Sequence, residues 1–403
     1  MLTRTIARAA LTRFCEGRLT VVEDGRATRF GSGAGPSAVV TVHDPRAWAA
    51  IVRRRSVGLG EAYAAGWFDV DDPASLVELL LGASLPIRRR LDGVARRVAP
   101  LRDRLPTRSR GAAVDRRNVA AHYDLSNELF ELMLDPTMAY SCAIFDDAGR
   151  RTLEEAQLAK FDRLCDLLDL GSDDHLLEIG TGWGGFAVHA ARRTGCRVTT
   201  TTISAEQHAY ASKLVAEEGL ADRVTVLDRD YRDIAGSFDK VVSVEMIEAV
   251  DWRDHARFFD AVAGATRPGG RAVLQAIVID DRSADRAKRS QDFIKAFVFP
   301  GGCLPSVGSI VRDAGRTGRL RPVEVHSIGH HYPETLARWS ANVGAARGEL
   351  RRLGFDERFQ RIWDLYLGYC TAAFRSGHCD TVHVVLDAEE VGWPTTGRPS
   401  RRP

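Results

Sequence analysis

The segment HLLEIGTGWGG carries Gly180, Gly182 and Gly184 through a turn where an apolar run gives way to helical patterning. Glycines in such a turn adopt positive φ and let backbone amides approach a ligand closely, which suits a nucleotide-like cofactor. The spacing Gly180-x-Gly182-x-x-Gly185 also satisfies the dinucleotide fingerprint, so the turn alone leaves two cofactors open. The next strand discriminates between them. A dinucleotide enzyme wants an acidic residue near its end for the ribose hydroxyls, whereas this chain has Thr199-Thr200-Thr201-Thr202. Asp230 and Tyr231, further on, offer a carboxylate for an adenine amino group and a ring to stack on it. These residues favour S-adenosylmethionine and methyl transfer.

Such residues need a scaffold that gathers strand ends. HLLEIG (175–180), RVTTTTI (197–203), RVTVLD (223–228), KVVSV (240–244) and RAVLQAI (271–277) read as strands, with helical patterning at about 185–194, 205–218 and 252–266. That alternation specifies parallel βαβ units with right-handed crossovers, an α/β doubly wound sheet. VHVVLD (382–387) reads as a last, antiparallel strand, and the aromatic, mostly helical stretch at about 278–380 as an inserted substrate cover. Residues 1–84 combine a candidate hairpin (LTVVED…ATRFG), the strand VVTVHD and the helical stretches PRAWAAIVRR and ASLVELLLG, a small α+β domain. A linker at 85–117, the main domain at 118–390 and a tail at 391–403 complete the expected organisation.

The chain has 403 residues with 44% hydrophobic residues, enough for a full core in more than one domain. A net charge of +2 argues against a general polyanion binder. Between Pro86 and Arg117, however, eleven arginines face three aspartates. That run suits either an anionic surface or a solvated linker. Leu2, Ile6, Ala9, Ala10 and Phe14 with Arg4, Arg8 and Arg13 form an amphipathic basic helix, suited to a membrane surface or to packing on its own domain. Seven dispersed cysteines read as reduced thiols, and no apolar run approaches the roughly 20 residues of a membrane span. The expected location is the cytoplasm, peripheral to the inner membrane face.

AAHYDLSNELFELMLDPTMAYSCAIF, LLEIGTGWGG, TISAEQ, SVEMIEAV, FPGGCLPS, HHYPETLARW and YCTAAFRSG together resemble cyclopropane-fatty-acyl-phospholipid synthases and mycolic acid cyclopropane synthases, in order over about 118–388. VTVHDPRAW…LGEAYAAGWFD resembles the N-terminal domain of the phospholipid-acting members. The resemblance implies a seven-stranded class I methyltransferase that methylates a cis double bond of an unsaturated phospholipid acyl chain. It places Tyr140 and Ser141 at the methionine end of the methyl donor, Gly180 and Gly182 beneath it, and Thr202, Ile203 and Gln207 around the ribose. Glu178, Gly184, Asp230 and Tyr231 complete the expected cofactor set. Where mycolic members carry Trp-Glu near the adenine, Tyr231-Arg232 keeps the ring and loses the acid.

Methylating an alkene leaves a carbocation, which aromatic faces can stabilise without trapping; Tyr123, Tyr332, Phe297 and Phe299 are candidates. The resemblance implies bound bicarbonate as the base, held by Cys142, Glu248, Tyr332 and the Ile277 carbonyl. Most members read LLHTI where this chain reads VLQAI, so Gln275 replaces a histidine and brings an amide that cannot carry charge. Glu245 adds a second carboxylate. SVEMIEAV with LQAI resembles the branch that makes methylene- or methyl-branched, tuberculostearate-type acids, so either that product or a cyclopropane is expected. A reductase partner would complete a methyl-branched product. Cys370 matches a family cysteine at times proposed as catalytic, yet alkene methylation needs no covalent nucleophile. His330-His331 lacks a third ligand at usable spacing, so no metal is expected. A small-molecule N-methyltransferase and a silent lipid-binding homologue are the competing readings. Nucleic acid is not an expected partner, because the charge is near neutral and the Asn/Asp-Pro-Pro-aromatic motif is missing. A homo-oligomer is compatible with the sequence.

Overall fold

In RLTVVE, Leu19 and Val21 alternate onto a buried face, giving strand β1 (Arg18–Glu23). Asp24 (φ 51°) and Gly25 (φ 73°) then form a two-residue turn with both residues left-handed, the geometry that matches hairpin twist. The chain returns antiparallel as β2 (Arg26–Phe30). β3 (Ser37–Val42) lies parallel to β1, and β4 (Phe68–Val70) pairs antiparallel with β3, in the order β2-β1-β3-β4.

The computed structural model describes residues 2–12, 17–82, 126–147 and 149–389. Tyr123 and the arginine run therefore lie outside the described residues. Two compact units emerge. The described residues of the first fall within Met1–Ser109, Arg289–Pro300 and Tyr332–Cys379, and those of the second within Arg110–Lys288, Gly301–His331 and Asp380–Pro403. The stretch 278–380 is thus divided between the two units and is not one inserted piece.

Within the first unit, the basic N-terminal helix Leu2–Leu11 packs on its own sheet. Ala7 and Leu11 are buried, Arg4 and Arg8 pair with the buried Glu23, and Trp48 Nε1 donates to Glu23 at 2.9 Å. Both arginines of this helix are thereby engaged by the protein. Helix Arg46–Ala64 is broken at Arg55 (φ 53°), and a Cβ on Gly60 would stand 2.3 Å from Phe293. Helices Tyr332–Ala345 and Glu357–Arg375 complete this unit, with Arg361 donating to the carbonyls of Tyr63 (2.6 Å) and Phe68 (2.7 Å).

The second unit is built on the seven-stranded sheet β10-β11-β9-β8-β5-β6-β7, where β5 is His175–Ile179, β6 Arg197–Thr202, β7 Val224–Asp228, β8 Phe238–Val244, β9 Thr266–Ile279, β10 Leu320–Ser327 and β11 Cys379–Ala388. The pairs β5–β6, β5–β8, β6–β7 and β8–β9 are parallel, and β10–β11 is antiparallel. Leu177, Ile179, Val241, Leu274 and Ala276 join a core with Phe258, Phe259 and Ile310. Leu176, Val242, Val273 and Val385 join another with Phe161, Leu164 and Phe186. Alternate residues of one strand thus feed opposite faces, and helices cover both, as a parallel sheet requires. β10, expected within helical cover, is an edge strand whose Pro322, bulge and largely exposed side chains hid its periodicity.

Candidate active site

The carboxyl ends of β5, β6 and β8 open on one cavity, lined among others by Tyr140, Ser141, Glu178, Gly180, Gly182, Thr202, Ile203, Gln207, Asp230 and Tyr231. Ten of the eleven expected cofactor residues therefore share one space. Gly184 is not among the lining residues. It caps helix Gly185–Thr194 at φ 93°, and a Cβ there would lie 3.1 Å from that of Ala211, so it serves the turn and the packing beneath it. Gly180 (φ 99°) is restricted on both counts, since its Cβ would meet Met246 at 3.1 Å.

Thr200, Thr201 and Thr202 of β6 are buried, and each of their hydroxyls has a partner, as buried polar groups require. Thr200 donates to Glu178 (2.6 Å), Thr201 to the Arg229 carbonyl, and Thr202 to Gln207 Oε1 (2.9 Å). Asp230 is not left open for an adenine amino group. Arg232 engages both its oxygens, through Nε at 2.9 Å and Nη2 at 2.7 Å, and itself lines the cavity.

Sequence reasoning passed over Lys160. On helix Leu153–Leu168 the buried stripe runs Leu153, Ala156, Gln157, Lys160, Phe161, Leu164, so two polar side chains interrupt an apolar face. That interruption was the available signal. Gln157 Nε2 donates to the carbonyls of Ala139 (3.2 Å) and Ser141 (2.9 Å), holding the loop that carries Tyr140. Lys160 Nζ donates to Ser141 Oγ at 2.7 Å, lies over the Phe161 ring and lines the cavity. Burial lowers its ammonium to about 8, against the pull of Glu245 and other acids. Burial likewise pushes the Glu178 carboxyl up to about 8.

Beside the cavity, β8 ends in a tight turn that delivers two carboxylates. Glu245 lines the cavity in a left-handed conformation (φ 49°), worth about 1–3 kcal/mol of strain in a residue with a Cβ. Its Oε1 accepts from the Cys142 amide (3.0 Å) and from Gln275 Nε2 (2.8 Å). Glu248 Oε1 accepts from the Ile277 amide at 2.5 Å, while its Oε2 is buried without a hydrogen-bond partner. Burial first, then the neighbouring Glu245, pushes the Glu248 carboxyl up to about 8. Cys142 is fully buried, its Sγ 3.8 Å from the Ile328 carbonyl oxygen. Cys142, Glu248, Gln275 and Ile277 are thus brought into one cluster of the second unit.

Tyr332 and Cys370 belong to the first unit. Tyr332 is buried and stacks on Phe374 at 4.3 Å; Cys370 is partly buried on helix Glu357–Arg375. Phe297 and Phe299, also in that unit, pack on Phe293 and Tyr366 respectively. The His330 and His331 rings lie 3.8 Å apart, and among the described residues no group of His, Cys, Asp and Glu could hold a metal.

A glycine turn at a switch of strand order, with a ring, hydroxyls and a buried cation around one cavity, defines a class I S-adenosylmethionine-dependent methyltransferase. Residues 111–384 match the family model described as mycolic acid cyclopropane synthetase, and the chain belongs to that family. It is 40% identical over 377 residues to tuberculostearic acid methyltransferase UfaA1 of Mycobacterium tuberculosis, covering 92% of this chain and 87% of the relative. Identity to the cyclopropane-fatty-acyl-phospholipid synthase of Escherichia coli K12 is 34% over 357 residues, covering 88% and 89%. The structure of mycolic acid cyclopropane synthase CmaA1 complexed with SAH and CTAB superposes with a TM-score of 0.63 at 31% identity, over 68% of this chain and 98% of that one. The protein is accordingly an S-adenosylmethionine-dependent methyltransferase of a lipid-modifying family.

Proposed function

We propose that this enzyme methylates the cis double bond of an unsaturated phospholipid acyl chain and forms a methylene-branched chain. The observation that carries the reading is Glu248, half-buried next to the cavity-lining Met246 and Ala249, whose buried Oε2 has no hydrogen-bond partner. S-adenosylmethionine supplies an electrophilic methyl group. The alkene carbon bonds to that methyl, S-adenosylhomocysteine departs, and the positive charge passes to the neighbouring carbon. A hydride shift moves the charge to the methylated carbon, and loss of a methyl proton gives the methylene group.

Ser141 and Lys160 suit the methionyl end of the donor, the Thr202–Gln207 pair its ribose, and Tyr231 its adenine. Gly180 leaves the backbone approach clear. The orphaned Glu248 Oε2 fits a bound bicarbonate, held also by Cys142 and Ile277. Bicarbonate, when bound, supplies a base. With its carboxyl raised to about 8, Glu248 can hold a proton near neutrality and share it with an anion on Oε2. Gln275 brings no charge of its own to this cluster. The 40% identity to a tuberculostearic acid methyltransferase supports the branched product over a cyclopropane.

Expression in a host rich in oleoyl lipid, followed by mass spectrometry of its fatty acids, tests this reading. Hydrogenation must accompany it, because a cyclopropane and a methylene chain have equal mass. A methylated chain that takes up hydrogen as an alkene supports the proposal; a hydrogenation-resistant product assigns cyclopropanation. A methyl-branched end product would require a reductase partner. The 86–117 arginines suit transient contact with an anionic membrane. Neutralising Arg88, Arg89, Arg90, Arg96 and Arg97 should weaken binding to anionic vesicles at low salt. Among the described residues no helix is long and apolar enough to cross a membrane.

A further inference from the structure

Behind Gln275 runs a chain of buried polar groups that the mechanism above does not use. β9 and β11 are neighbours in the sheet, and on the face that carries Val273 and Val385 they place Gln275 and His383, respectively 1% and 0% exposed. Helix Leu153–Leu168, which contributes Phe161 and Leu164 to that same core, also supplies Arg163. Arg163 Nε lies 3.3 Å from His383 Nδ1, and His383 Nε2 lies 2.8 Å from Gln275 Oε1. Gln275 Nε2 in turn reaches Glu245 Oε1 at 2.8 Å and the Cys142 carbonyl at 3.2 Å.

The direction of each bond follows from chemistry. A guanidinium can only donate, so Nδ1 of His383 is an acceptor and its proton sits on Nε2. Nε2 must then donate to the oxygen of Gln275, which turns the amide nitrogen towards Glu245 and Cys142. Burial, then the neighbouring Arg163, Lys160 and His326, drives His383 down to about 3, so it remains neutral and keeps this tautomer. Reversing the Gln275 amide would set N–H against N–H at His383 and oxygen against carboxylate at Glu245.

We infer that His383 is a positioning residue for methyl transfer: held by Arg163, it sets the orientation of the Gln275 amide, which holds Glu245 and Cys142 in place at the edge of the donor cavity. This rests on the reading given under Proposed function. The geometry also accounts for an amide at position 275. An oxygen towards β11 and a nitrogen towards the acid are both needed, and one glutamine side chain supplies both.

The test compares His383→Leu, His383→Gln, Gln275→Leu and the double variant His383→Leu/Gln275→Leu with wild type, measuring methyl transfer to oleoyl phospholipid, donor affinity and thermal unfolding. His383→Gln retains a donor and an acceptor and should recover kcat to within about threefold of wild type. His383→Leu should lower kcat by about tenfold or more while donor affinity stays within about twofold, the pattern of lost alignment at the reacting centre. The double variant should be no worse than Gln275→Leu, because coupled residues are not additive. Independent, multiplying losses, or a His383→Leu variant that loses unfolding temperature and keeps kcat, would overturn the positioning role. Should His383→Leu fail to fold, His383→Gln together with Gln275→Leu still decides it, since a His383→Gln enzyme as slow as Gln275→Leu contradicts the inference. A wild-type protein that transfers no methyl group would overturn the functional reading, and this inference with it.

Discussion

The donor cavity and the polar cluster beside it share the same sheet, yet they are built differently. The cavity draws largely on short runs of sequence: the turn at 178–183, Thr201 to Ile203, and Arg229 to Arg232. Its side chains satisfy one another locally, as Thr202 does Gln207 and Asp230 does Arg232. The cluster is assembled from Cys142, Arg163, Glu245, Glu248, Gln275 and His383, partners separated by up to 220 positions. It holds an unsatisfied carboxylate oxygen and a left-handed glutamate. On the proposed reading, the donor surface is satisfied by local pairs, whereas the cluster proposed to react keeps an unpartnered carboxylate oxygen and, in Glu245 where it borders the cavity, backbone strain.

Changes that separate binding from turnover sharpen this contrast. The largest effect is expected for Glu248→Gln: methyl transfer should fall by about 10²–10⁴-fold, the range of general acid–base catalysis, with donor binding spared in calorimetry. Gly180→Val should do the reverse. Its φ of 99° and the Met246 contact leave no room for a side chain, so donor affinity should drop by about 100-fold or more. Unchanged binding in that variant would move the cofactor elsewhere. Lys160→Met should weaken donor binding by about tenfold, because it removes a buried cation from the cavity lining and from the Ser141 hydroxyl.

The smallest effect is on stability against pH. Glu178 and Glu248 are raised to about 8 in the folded protein, which therefore binds protons that the unfolded chain has already released. Stability contributed in this way is full below about 4.5 and is lost as pH climbs to about 8. His383, lowered to about 3, and His331, lowered to about 4, act oppositely, but only below the ordinary histidine value near 6.5. Between about pH 6.5 and 8 the carboxyl groups act without that opposition. Unfolding temperature should decline across this interval, and Glu178→Gln should reduce the slope; an equal slope in wild type and variant would show that Glu178 ionises normally.

The sheet was legible in the sequence where residues alternate between two apolar faces, as in β5, β8 and β9, and where turns carry their own chemistry, as at Asp24-Gly25. β10 escaped because an edge strand with a proline and a bulge has no apolar period, and β4 because three residues are too few to show one. The cavity residues were legible for the same local reason. Lys160 broke an apolar helical stripe and could have been found. His383 sits within the apolar run VHVVLD, but its partner Gln275 is 108 positions away, and only the register of the sheet joins them. The family resemblance pointed to Cys142, Glu248 and Gln275; the packing shows what each one touches.

The most direct test of methyl transfer to an acyl double bond uses donor labelled with a trideuterated methyl group. Purified enzyme is incubated with it and oleoyl phospholipid vesicles, and the released fatty acids are weighed by mass spectrometry. The account predicts an acyl chain carrying the donor carbon with one methyl deuteron lost, absent with Glu248→Gln. An acyl pool that gains no label, under conditions where the enzyme binds the donor, would contradict it.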